Sequence, residues 1–306
     1  MLKKNGFKAI SALSLVCAAS LGLPGSAHAE NNADGFVINS KISKAALNPA
    51  AVAALPGDIK EKGVLTIGGE TTLPPYLYRE NGGITGIEAD FMQALGQALG
   101  LHIKVINTDF GSMVIGLTSG RIDVAMSDFS DTPEREKQVT FVDYTKTGQQ
   151  LIVAKGNPKK IHSVTDLCGT IAGGPVGSLS LQIAQRQSDA CTSAGKPAVT
   201  VQGYPSASAS DLALRTGRID VMGIDYAIAA NIVKTSGDKA ELTGDLFESG
   251  LHGAAVKTSN AQLAKALQLA FEGISKQGID KQIVDFYGVS QMRIDSPAVN
   301  AMQAKN

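Results

Sequence analysis

Two aspartates close two matching stretches of this chain. One stretch reads GRIDVAMSD (residues 120–128), the other GRIDVMGID (residues 217–225). Asp123 and Asp220, the fourth residues of the shared words, lie 97 positions apart. Apolar residues at helical spacing precede each: Met113, Ile115 and Leu117 in the first case, Leu212 and Leu214 in the second. Helix, glycine turn, strand and carboxylate thus occur twice. In open α/β sheets ligands bind beyond the carboxyl ends of the strands. Asp128 and Asp225 are therefore expected to face a cleft, one from each of two similar lobes. Buried carboxylates in such a place hold a cation or carry out acid–base work.

Other chemistries find less support. His102, His162 and His252 are scattered and match no H-E-x-x-H or related ligand spacing, so no metal set is expected. No G-x-S-x-G nucleophile elbow is present. The glycine-rich run 173–178 (GGPVGS) lacks the lysine of a phosphate loop, and no cofactor is expected.

The elements that would position the two aspartates can be read along the chain. Residues 64–68 (VLTIG) form a buried strand, and Asn81-Gly82-Gly83 is a hairpin turn. Ile87, Phe91, Leu95 and Leu99 recur every four residues, an amphipathic helix. Residues 103–106 form the next strand. Thr132-Pro133 reads as the N-cap and first residue of a short helix. Strands at 150–154 and 253–256 lead out of the first lobe and back, and two crossings make a hinge. Leu263, Leu267, Ala270, Phe271 and Ile274 mark a long amphipathic helix. The expected organisation is a signal peptide at 1–29 and a partly disordered leader at 30–60. Lobe 1 takes 61–153 plus 250–290, lobe 2 takes 154–249, and 291–306 is a polar tail.

Residues 1–29 have a basic start (Lys3, Lys4, Lys8), an apolar run from Ala9 to Leu23, and an A-x-A site at 27–29. That is the pattern of a secretory signal, and it predicts export to the periplasm. Without it, 25 basic residues face 28 acidic ones. No basic patch speaks for nucleic acid, and no later apolar run is long enough for a membrane span. Cys168 and Cys191 remain, and an even pair in an oxidising compartment predicts a disulfide.

The runs ETTLPPY (70–76), the stretch from Phe110, SDFSDTPER (127–135) and LIVAKGNP (151–158) resemble the polar amino-acid-binding proteins of ABC importers, solute-binding protein family 3. The similarity covers about Asp58 to Gly288, and the order of motifs carries it. The resemblance implies an α/β, type II periplasmic-binding-protein fold, each lobe a mixed sheet flanked by helices. It implies an amino-acid ligand held between the lobes and delivered, by a monomer, to a permease and its ATPase. It places Arg135 and Ser130 on the ligand carboxylate, Asp225 on the ammonium, and Ser178 at a helix N-terminus that also favours the carboxylate. Phe110 packs on the ligand stem, Glu70 reads the distal end, and Tyr76 is structural. Leu73 departs from an aromatic position and Asp128 from a serine or glycine position. With Glu70, Asp128 is expected to read a cationic side chain such as that of arginine, ornithine or lysine. The alternatives are a dehydratase-like periplasmic enzyme, with Glu70 or Asp128 as its acid–base group, or a ligand-sensing module.

Overall fold

A computed structural model gives the fold, and residues 1–2 and 32–302 are those it describes. The expected signal peptide therefore falls almost wholly outside the described residues. Helices α1 (Pro49–Ala54) and α2 (Gly57–Lys62) precede strand β1 (Val64–Gly69). A small antiparallel sheet follows, made of β2 (Thr72–Leu73), β3 (Leu77–Glu80) and β4 (Gly83–Thr85). Then come α3 (Ile87–Leu99), β5 (His102–Asn107), α4 (Met113–Thr118), β6 (Val124–Ala125) and α5 (Pro133–Glu136). The long β7 (Val139–Ala154) leads to β8 (Ile171–Pro175), α6 (Leu179–Ser193) and β9 (Thr200–Tyr204). After α7 (Ala207–Arg215), β10 (Val221–Asp225) and α8 (Tyr226–Thr235), the long β11 (Ala240–Lys257) returns. Helices α9 (Ala261–Lys276) and α10 (Ile279–Phe286) and strand β12 (Arg293–Val299) complete the chain.

The main sheet runs β5-β1-β6-β11-β7-β10-β8-β9. One end is a parallel set, β5-β1-β6, and the other is a second parallel set, β10-β8-β9. The antiparallel pair β7 and β11 joins them. The first half of β7 pairs with the end of β11, and its second half pairs with β10 and the start of β11. This is the two-lobed type II architecture, with β7 and β11 as the two crossings.

The repeated pentapeptide has one structural purpose in both lobes. Gly120 (φ 74°) and Gly217 (φ 71°) lie in the left-handed region that favours glycine, and each turns the chain from helix to strand. The aspartate three residues on then ties down a neighbouring strand. Asp123 Oδ2 accepts from the Thr66 N–H at 2.9 Å, and Asp220 Oδ2 accepts from the Ile171 N–H at 2.9 Å. Ile122 packs over Gly68, and Ile219 packs over Gly173. β6 and β10 are thereby fixed beside β1 and β8, and the residues that follow them emerge at the cleft.

Within the leader expected at 30–60 from its Ala, Asn and Ser content, the described residues 32–60 are packed onto the fold. Phe36, Ala51, Leu55 and Ile59 are buried in the main core, and Phe36 bridges Ile84. Burying one such aromatic or branched side chain contributes about 1.5–3 kcal/mol. The polar residues satisfy local backbone groups. Asn32 accepts from the N–H groups of Asp34 and Phe36, and Asn48 caps α1 while donating to the Leu269 carbonyl. The polar tail also contains β12, which pairs with β7. Among the described residues no helix is long and apolar enough to cross a membrane.

Candidate functional site

The two lobes meet over a small cavity lined by Glu70, Phe110, Asp128, Ser130, Ser178 and Asp225, together with Leu73, Gln149 and Ile224. Six of the seven residues expected at the ligand thus converge on one place. Glu70 follows β1, and Asp128 and Ser130 follow β6. Ser178 caps α6, its hydroxyl accepting from the Leu181 N–H at 3.3 Å. Asp225 ends β10 and caps α8, its Oδ1 accepting from the Ala227 N–H at 2.8 Å. The loop 129–131 is stitched to β11 through the Gly253 N–H to the Phe129 carbonyl and the Asp131 N–H to the Leu251 carbonyl.

Arg135, the seventh, lies beside the cavity rather than lining it. Its guanidinium donates to the Ser130 carbonyl at 2.6 Å and reaches across to the Gly177 carbonyl at 2.8 Å. It stacks over Phe129 at 4.5 Å and Phe110 at 5.4 Å. Burial lowers its pKa to about 10, so it stays charged. Tyr76 was expected to be structural alone. Its ring is buried, and its hydroxyl also donates across the cleft to Asp225 Oδ1 at 2.8 Å. At the rim a Cβ on Gly111 would lie only 3.1 Å from the Val176 carbonyl oxygen, so the lobes touch there backbone to backbone. The free volume left inside is about 30 Å³. That suits a water or two, and an amino acid enters only when the lobes part.

The site is rich in buried carboxyls. Burial raises Asp225 to about 6, against the lowering effect of Thr147 and Tyr76. Burial also raises Glu70, and it raises Glu88 to about 7 although Tyr144 donates to it. Asp128 is pushed well above the usual range by burial and then by the charges of Asp225 and Glu88, with Glu70 the weakest of its neighbours. Asp128 lines the same cavity as Glu70, and one of its carboxylate oxygens also lies within 4.8 Å of a carboxylate oxygen of Asp225. Its backbone is left-handed (φ 54°), held by its N–H donating to Glu88 Oε1 at 3.1 Å. His252, on β11, brings Nδ1 to 3.0 Å from Asp128 Oδ1, and burial lowers its pKa to about 3.

Cys168 and Cys191 form the expected disulfide, with Cα atoms 5.6 Å apart, tying the segment before β8 to α6.

The family model for bacterial extracellular solute-binding proteins, family 3, matches residues 65–290. The chain belongs to this family. A curated family relative, the L-cystine-binding protein TcyJ of Escherichia coli, is 32% identical over 222 residues, covering 72% of this chain and 80% of its own. The solved structure of an ancestral arginine-binding protein bound to arginine is 32% identical with a TM-score of 0.68, covering 74% of this chain and 98% of its own. An ancestral amino acid-binding protein described as a precursor of cyclohexadienyl dehydratase is 24% identical, with a TM-score of 0.67 over 75% of this chain and 97% of its own. That last likeness shows the fold alone.

Sequence reasoning missed His252, Gln149 and Glu88 at this site. Glu88 hides inside an amphipathic helix, and Gln149 and His252 lie on the crossing strands. No local motif marks any of them; only the pairing of β7 with β11 brings the last two to the cleft.

Proposed function

We propose that this protein captures an amino acid, with cationic amino acids preferred, between its lobes outside the inner membrane and delivers it to an ABC permease and its ATPase. Residues 61–153 with 250–290 would move against residues 154–249 on the β7 and β11 crossings. The observation that carries the reading is the convergence of Glu70, Phe110, Asp128, Ser130, Ser178 and Asp225 from both sides on one cavity, with the Arg135 guanidinium beside it. A guanidinium holds a carboxylate bidentately, and Asp225 receives an ammonium. In the closed arrangement the protein's own groups take those places: the Gly177 carbonyl on Arg135 and the Tyr76 hydroxyl on Asp225. The ligand replaces both, so its zwitterion takes over contacts that already hold the lobes together. Glu70 is the reader of the distal cation. Asp128 joins Glu70 in reading it, and Phe110 and Leu73 form the apolar wall.

Relatives named for arginine and for cystine support an amino-acid ligand, and the acidic lining favours the cationic one. We read the chain as a binding protein and not an enzyme. The test is calorimetry of unfolded and refolded, ligand-free protein with arginine, ornithine, lysine, cystine, glutamine and glutamate. Arginine or ornithine is expected to bind at micromolar affinity or tighter, about −8 kcal/mol. Binding of glutamate or glutamine without arginine and ornithine would overturn the cationic preference.

A further inference from the structure

Asp128, Asp225 and His252 come from three separate elements: the loop after β6, the end of β10 and the middle of β11. All three are buried, and one ligand atom from each lies within 4.8 Å of the others. Asp128 Oδ1 and His252 Nδ1 are buried without a hydrogen bond among the described residues; their 3.0 Å approach has the wrong geometry for one. Asp225 Oδ2 lacks a hydrogen bond of good geometry, although Thr147 and the Ile228 N–H also approach this carboxylate, while Oδ1 is occupied by Tyr76 and the Ala227 N–H. Buried polar atoms nearly always have partners, and those that do not call for an unplaced water or ion.

From this geometry we infer a binding site for a first-row divalent metal ion, of the Zn2+ class, on Asp128, Asp225 and His252. One imidazole nitrogen and two carboxylate oxygens form a borderline ligand set that suits zinc and its neighbours. Such ligands stand about 2.0–2.2 Å from the ion. Tetrahedral ligands at that distance stand about 3.4 Å from one another, so atoms now as much as 4.8 Å apart draw together by up to about 1.4 Å when the ion binds. The two carboxylates, which repel each other without a cation, are neutralised by it. The cavity beside Asp128 and Asp225 is too small for an amino acid but has room for an ion and a water. His252 also lines a second cavity of about 270 Å³, which shares Ser130 and Gln149 with the first. The histidines show no ligand spacing in the sequence because the set takes one residue from each of three distant segments.

This site stands apart from the amino-acid reading, although both use Asp128 and Asp225. The two are separated by measuring metal binding with no amino acid present and amino-acid binding in chelator. Tag-free protein, stripped with chelator, is titrated with Zn2+ alone by calorimetry and with Co2+ alone by visible absorption. We expect one equivalent of Zn2+, and a Co2+ d–d spectrum that added Zn2+ abolishes. Loss of a ligand costs at least the 10–100-fold known for supporting partners, so His252→Ala and Asp128→Asn should each weaken Zn2+ by about tenfold or more. His102→Ala, which alters an exposed histidine beside Asp34, should leave it unchanged. Saturating Zn2+ should also weaken amino-acid binding, because metal and ammonium compete for Asp225. Melting in chelator shows whether each variant folds. The proposal is overturned if the wild-type protein gives neither a Zn2+ isotherm nor a Co2+ spectrum. It is equally overturned if folded His252→Ala and Asp128→Asn bind Zn2+ as wild type does. If both variants unfold, the wild-type Co2+ spectrum alone decides.

Discussion

Arg135→Ala is expected to abolish most ligand binding while leaving the protein folded. In the closed arrangement the guanidinium makes two charge-assisted hydrogen bonds, to the Ser130 carbonyl at 2.6 Å and the Gly177 carbonyl at 2.8 Å. A hydrogen bond to a charged group contributes about 1.5–3 kcal/mol. A bound carboxylate makes two such bonds to the fork, or about 3–6 kcal/mol gross, but displaces the Gly177 carbonyl. The net loss on truncation is therefore near the lower end, about 3 kcal/mol, or roughly a hundredfold in Kd. Stability changes less. The lost bonds and the stacking on Phe129 are offset by no longer burying a cation whose pKa burial lowers to about 10. Calorimetry with arginine and with agmatine, which lacks the carboxylate, isolates the interaction. Wild type should favour arginine over agmatine strongly, and Arg135→Ala should lose that preference. Arg135→Lys should recover only part of it, because an ammonium is a point charge and not a fork. Binding of arginine to Arg135→Ala within about fivefold of wild type, or an undiminished preference over agmatine, would refute the reasoning.

Asp225 must be ionised to receive an ammonium, and burial raises it to about 6 without ligand. Affinity should therefore fall roughly tenfold per unit as pH drops below about 6, with a proton released on binding near that pH; a flat profile from pH 5 to 7.5 would contradict the role. Glu88 is raised to about 7 in the folded chain, so its contribution is fully present below its ordinary value near 4.5 and is lost as pH rises through 7. Ligand-free melting should show about 3 kcal/mol less stability from this group at pH 8 than at pH 4.5, and Glu88→Gln should flatten the slope. The disulfide closes a loop with 23 residues' separation. By the chain-entropy model its loss costs about 3 kcal/mol, or about 6–12 °C in Tm, measurable by melting with and without reductant. Gly111→Val adds atoms where a Cβ already meets the Val176 carbonyl at 3.1 Å. Small-angle scattering should find that variant more open than wild type, with weaker ligand binding.

Much of this molecule was legible because its apolar periodicities are clean and its motifs are local. The repeated pentapeptide announced two similar lobes, and both aspartates that follow it reach the cleft. The helix starting at Ile87 and the hairpin at Asn81-Gly82 form where their residues say, with Asn81 and Gly82 both at positive φ. The stretch expected as a leader at 30–60 misled because its apolar side chains bury against distant elements, a tertiary effect that no local window contains. Asp128 was legible only in part. Its position in the motif was clear, but the direction of its side chain depends on a left-handed backbone pinned by Glu88, forty residues earlier. His252 gave no signal at all, since its meaning comes only from the strand that passes beneath the cleft.

The register of the two crossing strands also dictates an order of assembly. Ala154 pairs with Ala240, and Val139 pairs with Lys257, so the whole second lobe lies between the strands that must meet. Loop-closure entropy opposes that meeting less once the intervening chain is compact, so the inserted lobe is expected to form first. Until β11 arrives, β6 in the first lobe has an open edge, since β11 is the partner that covers it. An unpaired edge is a template for association with other chains. The interval between the folding of the insert and the docking of β11 is thus when the newly exported chain most needs protection.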